Sequence, residues 1–336
     1  MPDNIAAYKA TLRRCLSYID GIEYAKDHEF THERLAQIKP AHLMRWFNHK
    51  TFDTEDPPPD ANPTHARSSS LKNWKKQLSY FMPNKHHPWN EILESGNPTR
   101  SQDILMLIKY VKKKEVRKQG VLSSARRPFE EQEFRNLLKL ARNDHGTNII
   151  SRQGIPALLT FQFAMIGRID DSTQWQKVHF KAHNQFPEIA ARARLNWSKN
   201  VQEERDAPWQ ILLGSMDPDF CVLLNTALWL EVFLSTQPGA ELSPYVLAFS
   251  NDNNRPAGGK KARKTASSIL RRLLNDDEFE TNDDDNQENL GSHSTRKFAS
   301  TWTRRQGATK DEKDTRGRWK KRRVSDDYDD MELPYP

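Results

Sequence analysis

Almost everywhere in this chain the apolar residues return at the spacing of an α-helix, and in a single window they alternate in twos. That contrast fixes the fold class as mainly α, of the α+β kind: helices packed on helices with one small antiparallel sheet. Helical spacing runs through residues 1–50 (Tyr8, Leu12, Leu16, Ile19) and through 71–81, 103–116, 130–141, 156–166, 220–233, 260–274, 293–305 and 311–320. The exception lies between residues 175 and 213, where ARARLNW and WQILLG flank the polar turn SKNVQEERDAP and read as strands.

The breaks between these segments predict the domain organisation. Residues 53–67 carry three successive prolines at 57–59 and read as an exposed linker. The stretch SSARRP at 123–128 reads as a second linker, and 275–289 (NDDEFETNDDDNQEN) as an acidic loop too polar to pack. The expected division is a helical extension with its linker at 1–64, a helical domain at 65–122, and a larger helical domain with the sheet at 123–336. A chain of 336 residues can bury two such cores, and it shows no internal repeat.

Charge points to the partner. There are 52 Lys and Arg residues against 45 Asp and Glu, giving a formal charge of +7 and an excess that suits a polyanion. A membrane is the weaker reading, because no stretch approaches a spanning length and MPDNIAAYKATLRR lacks a signal-peptide core. Cys15 and Cys221 are isolated, which fits a reducing compartment and forms neither a disulfide framework nor a zinc cluster. An intracellular protein without a metal or other cofactor is expected. HEFTH at 28–32 matches the zinc-protease pattern H-E-x-x-H, with His28 and His32 as ligands and Glu29 as base. It lies at a helix start with no third ligand at a familiar interval, so solvated histidines account for it.

Breaking a phosphodiester needs a nucleophile, cations on the non-bridging oxygens and an acid for the departing sugar oxygen. Arginine suits the second role, since its planar guanidinium grips two oxygens and stays charged. The second domain offers such a set in order. Arg168 follows an apolar helix in FAMIGRIDDSTQW, with Asp171 placed to orient it. Lys199 sits at the sheet turn in NWSKNV. His293 and Arg296, in GSHSTRKF, are one helical turn apart and share a face. Trp319 and Tyr328 follow in RGRWKKRRVSDDYDD, with Tyr335 as the rival nucleophile.

This ordered set resembles the tyrosine recombinases and phage-type integrases, whose signature is an arginine, a hairpin lysine, His-x-x-Arg, then His or Trp, then Tyr. The wording GNPTRS, ARRP, NWSKNV and GSHSTRKF is similar to eukaryotic recombinase-like genes related to Crypton transposons. The resemblance covers residues 65–336 and implies a core-binding (SAM-like) DNA-binding domain at 65–122 followed by a catalytic domain. It implies a metal-free reaction in which Tyr328 attacks the scissile phosphate to give a 3′-phosphotyrosyl link. Arg168 and Arg296 would stabilise the pentacoordinate state, Lys199 would protonate the leaving 5′-oxygen, His293 would assist proton transfer, and Trp319 would donate its indole N–H.

The partner implied is double-stranded DNA, with a free monomer assembling as a homotetramer on it and, for a eukaryotic chain, a nuclear location. Expected DNA contacts are Lys75, Lys76, Lys109, Lys112, Lys113, Arg126, Arg127, Lys260, Lys261, Arg263, Lys264 and Lys320, gripping duplex phosphates from two sides. Two departures stand out. Acidic neighbours in SDDYDD oppose phosphate approach to Tyr328 unless the adjoining KKRR offsets them. Only eight residues follow Tyr328, where many relatives carry a further helix that docks on a neighbouring protomer, so a chain either truncated or unable to assemble normally is expected. The competing readings are a non-catalytic DNA-binding protein derived from a recombinase, and a type IB topoisomerase-like nicking-closing enzyme.

Overall fold

The computed structural model describes residues 5–123, 125–198, 201–202, 206–250, 256–280 and 289–319. The chain divides into two compact units, Met1–Ser123 and Ser124–Pro336. Among the described residues no helix is long and apolar enough to cross a membrane.

The first unit contains α1 (Ile5–Asp20), α2 (His32–Ala36), α3 (Pro40–Phe52), α4 (Ser68–Ser79) and α5 (Gln102–Val116). Helix α5 buries Ile104, Leu107, Ile108 and Val111, the i, i+3, i+4, i+7 stripe read from the sequence. Helix α4 adds Leu71 and Leu78, too little apolar surface to close a core with α5 alone. Leu12, Cys15 and Leu16 of α1 and Leu43, Trp46 and Phe47 of α3 complete the same cluster. Residues 1–64 are therefore not an extension outside a domain at 65–122; they supply a large share of its core.

The proline-rich stretch is likewise fixed rather than a free linker. The backbone N–H groups of Thr64 and His65 both donate to the Thr51 carbonyl at 3.1 Å. The Tyr110 hydroxyl donates to the Ala61 carbonyl at 2.8 Å. At the N-terminus of α4, where backbone donors lack partners, Glu115 accepts from the Ser68 N–H at 2.5 Å and from its hydroxyl at 3.0 Å. The HEFTH histidines do not share a helix turn. His28 precedes α2 and stacks on Tyr24 at 4.5 Å, while Glu29 pairs with Lys9 at 2.9 Å.

The second unit is built on α6 (Glu131–Asn143), α7 (Ile149–Ala164) and α8 (Ile169–Ser172). Three antiparallel strands follow, β1 (Phe180–Ala182), β2 (Ala190–Ala193) and β3 (Gln210–Leu213), with Arg192 facing Lys181 on one side and Ile211 on the other. Next come α9 (Val222–Thr236), the short pair β4 (Phe249–Ser250) and β5 (Pro256–Ala257), α10 (Gly259–Leu274), α11 (Ser294–Arg305) and α12 (Lys310–Gly317). Strand β1 and the β4–β5 pair, too short to show a period, go beyond the two strands read from the sequence.

Helix α7 is the spine of this unit, packed by α6, α9 and α11 and buried on nearly every side. Gly154 permits the close approach of α9. A Cβ there would lie 2.8 Å from the Phe249 ring and 2.9 Å from that of Trp229. The helix starts at Ile149, earlier than the break expected at Pro156. Asn148 caps it by accepting from the Ser151 N–H at 2.8 Å, so Pro156 sits inside an already nucleated helix.

Candidate functional site

Helix α7 ends in a tight turn: the Ile166 N–H donates to the Phe163 carbonyl at 3.3 Å and the Gly167 N–H to that of Gln162 at 2.8 Å. Ile166, not the usual glycine, takes the left-handed position at φ 45°. For a β-branched residue that conformation costs about 1–3 kcal/mol, which burial of the Ile166 side chain offsets. The turn delivers Arg168 to the start of α8, where its backbone N–H donates to Asp171 Oδ2 at 3.2 Å.

Arg168 opens into a cleft of about 720 Å³ lined also by Arg126, His293, Arg296, Lys297 and Trp319. Arg296 reaches it from the buried face of α11 and is 6% exposed. Its Nη2 donates to the Gly317 carbonyl at 2.8 Å, and its guanidinium lies 4.5 Å from the centroid of the Trp319 ring. Both Arg168 and Arg296 keep a buried Nη1 with no hydrogen-bond partner among the described residues. Two guanidiniums converging on one cleft are suited to the oxygens of a bound oxyanion.

Asp171 is the hub beneath them. Fully buried, its Oδ2 lies 3.7 Å from Arg296 Nη1 and 3.5 Å from Arg318 Nη2, and it accepts from Ser198 Oγ at 3.3 Å. The sequence reading assigned Asp171 to Arg168; the structure gives Arg168 only the backbone contact and pairs the carboxylate with Arg296 and Arg318. Burial, reinforced by the like charges of Arg168 and Arg318, brings Arg296 down to about 9 against the pull of Asp171, which leaves it cationic at neutral pH. His293, at the mouth, is held below the usual imidazole range by partial burial and then by Arg168 and Arg296, with Asp170 opposing. It is neutral at pH 7 and free to accept a proton.

The structure thus brings Arg168, Asp171, His293, Arg296 and Trp319 together. Lys199, Lys320, Tyr328 and Tyr335 lie outside the described residues. Arg318 was missed: its charge read as one more member of the basic run RGRWKKRR, and only the fold shows it turned inward. Among the described residues no three or more His, Cys, Asp or Glu side chains are grouped to hold a metal ion.

The expected DNA contacts divide. Lys76, Lys109, Lys112, Lys113, Lys260, Lys261 and Lys264 are exposed. Lys75 is partly buried, its ammonium held below the usual range by burial and the Arg100 charge. Arg263 pairs with Asp170 at 2.9 Å. Arg126 donates to the Leu290 carbonyl at 2.6 Å at the edge of the cleft. Arg127 is a correction: both of its terminal nitrogens donate to the buried Glu133, at 2.7 and 2.6 Å, so it anchors α6 rather than projecting toward a ligand.

No protein-family model matches the chain, and neither does any curated protein. Solved structures similar to it include XerA recombinase, at 12% identity with 94% of this chain and 82% of that one covered and a TM-score of 0.37. The Tn1549 transposon integrase in complex with circular intermediate DNA is similar at 9% identity, covering 93% and 91%, with a TM-score of 0.48. A lambda integrase dimer bound to a COC′ core site is similar at 8% identity, covering 98% and 78%, with a TM-score of 0.42. At such identities the likeness decides nothing about chemistry, which rests on the cleft itself.

Proposed function

We propose that this protein cleaves and rejoins DNA strands as a tyrosine recombinase, in the recombination or integration of a mobile element. One observation carries the reading. Arg168 and Arg296, chosen from the sequence as a phosphate clamp, converge on one cleft with His293.

In this reading the two guanidiniums hold the non-bridging oxygens of the scissile phosphate, with Trp319 stacked behind Arg296 to keep its plane fixed. The Tyr328 oxygen bonds to phosphorus as the bond to the 5′-oxygen breaks. The tyrosine proton leaves through His293, which is neutral and able to accept it. Lys199 supplies a proton to the departing 5′-oxygen. Rejoining reverses these steps with the 5′-hydroxyl of another strand, and the phosphotyrosyl bond conserves the energy needed. The assignments of Tyr328 and Lys199 come from the sequence and its resemblance.

The experiment is to incubate the protein with duplexes of randomised sequence, each carrying one nick that lets the released fragment bearing the new 5′-hydroxyl diffuse away. A protein–DNA band that survives denaturing gels and disappears with protease supports cleavage. Native-gel binding without that band favours the non-catalytic DNA-binding reading. Strand exchange between two duplexes then separates recombination from nicking and closing.

A further inference from the structure

Arg318, buried behind the cleft against Asp171, has no place in the expected chemical inventory. It ends α12 in a left-handed conformation, φ 54°, with its side chain turned inward and 5% exposed. Its Nη1 donates to the carbonyls of Met165 at 3.3 Å and Arg316 at 3.0 Å, and its Nη2 lies 3.5 Å from Asp171 Oδ2. Burial pulls its guanidinium below the usual arginine range, Asp171 resists, and the charge of Arg168 adds to the pull. Glycine or asparagine would close the helix with less strain, and packing alone would be met by an apolar side chain without burying a third cation. The charge itself needs an account.

Counting charge supplies one. Among the described residues, Arg296, Arg318 and Asp171 are buried behind the cleft with Arg168 half-buried beside them, while Arg126 and Lys297 also line it and Asp170 pairs with Arg263. Arg316, which also feels Arg318, ends instead on the Ala164 carbonyl at 2.7 Å. Within the inner group of Arg168, Arg296, Arg318 and Asp171, three guanidiniums against one carboxylate leave two positive charges. With a neutral residue at 318, Asp171 would offset Arg296 and one would remain. A phosphodiester carries a single negative charge, and the pentacoordinate phosphorane formed when a nucleophile adds carries two.

We propose that Arg318 is a positioning residue that, by sharing Asp171 with Arg296, adds one positive charge behind the cleft and so favours a doubly charged phosphorus centre over the singly charged diester. The inference rests on reading the cleft as a phosphoryl-transfer site. Charge arranged in this way stabilises the transition state more than the bound substrate, and only such differential interactions raise the rate of the chemical step.

The test compares Arg318→Met, which keeps length without charge, and Arg318→Lys, which restores charge. Arg318→Gln, neutral but still a donor to the Met165 carbonyl, carries the same test if the methionine variant does not fold. The protein is titrated by calorimetry at one pH with tungstate and perrhenate, tetrahedral anions of similar size that are doubly and singly charged. The neutral variants should lose about tenfold in tungstate affinity, change by less than about twofold for perrhenate, and recover most of the loss with lysine. On nicked DNA, single-turnover adduct formation should fall about 30-fold with DNA affinity unchanged. Equal losses for both anions, or none, overturn the proposal. A wild-type protein that forms no adduct, with tungstate selectivity still lost in the neutral variants, sinks the cleavage reading and leaves the role of Arg318 standing. Adduct formation with selectivity unmoved does the reverse.

Discussion

Arg296 and Trp319 hold each other: the guanidinium lies 4.5 Å from the centroid of the indole ring and donates at 2.8 Å to the carbonyl of Gly317, over which the same ring is packed. Cation, aromatic plane and helix end thus form one assembly at the wall of the cleft.

That assembly depends on the absence of a side chain at 317. A Cβ there would lie 2.5 Å from Trp319 Cε3, so Gly317→Ala must displace the ring. The expected outcome is a loss of about 1–3 kcal/mol in chemical denaturation. DNA cleavage should weaken along with it, as Arg296 loses its backing.

Asp171 is the stability counterpart. It is 2% exposed and lies within ion-pair distance of two arginines. Asp171→Ala leaves buried guanidiniums uncompensated and should destabilise the second unit by about 3–5 kcal/mol. A urea titration checks this. A change within about 0.5 kcal/mol would mean the ion pairs are not formed in solution.

Much of this was legible in the sequence, and the failures have physical causes. The stripe of α5 was readable because periodicity is a local property; Arg168, His293, Arg296 and Trp319, spread along the sequence, were grouped by their order and its resemblance, and the fold places them at one cleft. The share of residues 1–64 in the first core was not, since nothing local says that Trp46 and Phe47 cover α4 and α5. The early start of α7 was hidden because proline is favoured in the first turn of a helix and costly in its interior, yet Pro156 lies well inside Ile149–Ala164. Arg127 and Arg318 show the limit most clearly: a charged residue carries no mark of whether the fold turns it outward or onto a buried carboxylate.

The pH dependence of anion binding follows from His293, held below its ordinary range by burial and the neighbouring cations. Below the ordinary imidazole pKa the unfolded chain takes up this proton before the folded one does, so stability falls as pH drops through that window. A bound oxyanion reverses the local field and raises the histidine, so phosphate binding near pH 6 should be accompanied by proton uptake. Calorimetry in buffers of different ionisation enthalpy measures that uptake, and His293→Gln should remove most of it. Uptake unchanged in the variant would assign the proton elsewhere.

Helix α5 carries Lys109, Lys112 and Lys113 exposed on its surface. If these contact backbone phosphates, replacing all three by glutamine should weaken binding to every duplex alike. The slope of log affinity against log salt should fall by up to about 3, at about 0.9 per contact. Thermal stability should stay nearly constant because the three side chains are exposed. An unchanged salt slope would remove this helix from the DNA-binding surface.

The central claim is that a tyrosine of this chain becomes joined to DNA at the cleft of Arg168 and Arg296. The most direct measurement is to trap the adduct on nicked duplex, digest it with protease and nuclease, and locate the modified residue by mass spectrometry. The account predicts a nucleotide phosphate on Tyr328, abolished in Tyr328→Phe without loss of DNA affinity, and abolished in Arg296→Ala with weaker binding. Attachment at Tyr335, or an adduct that persists in Tyr328→Phe, would contradict it.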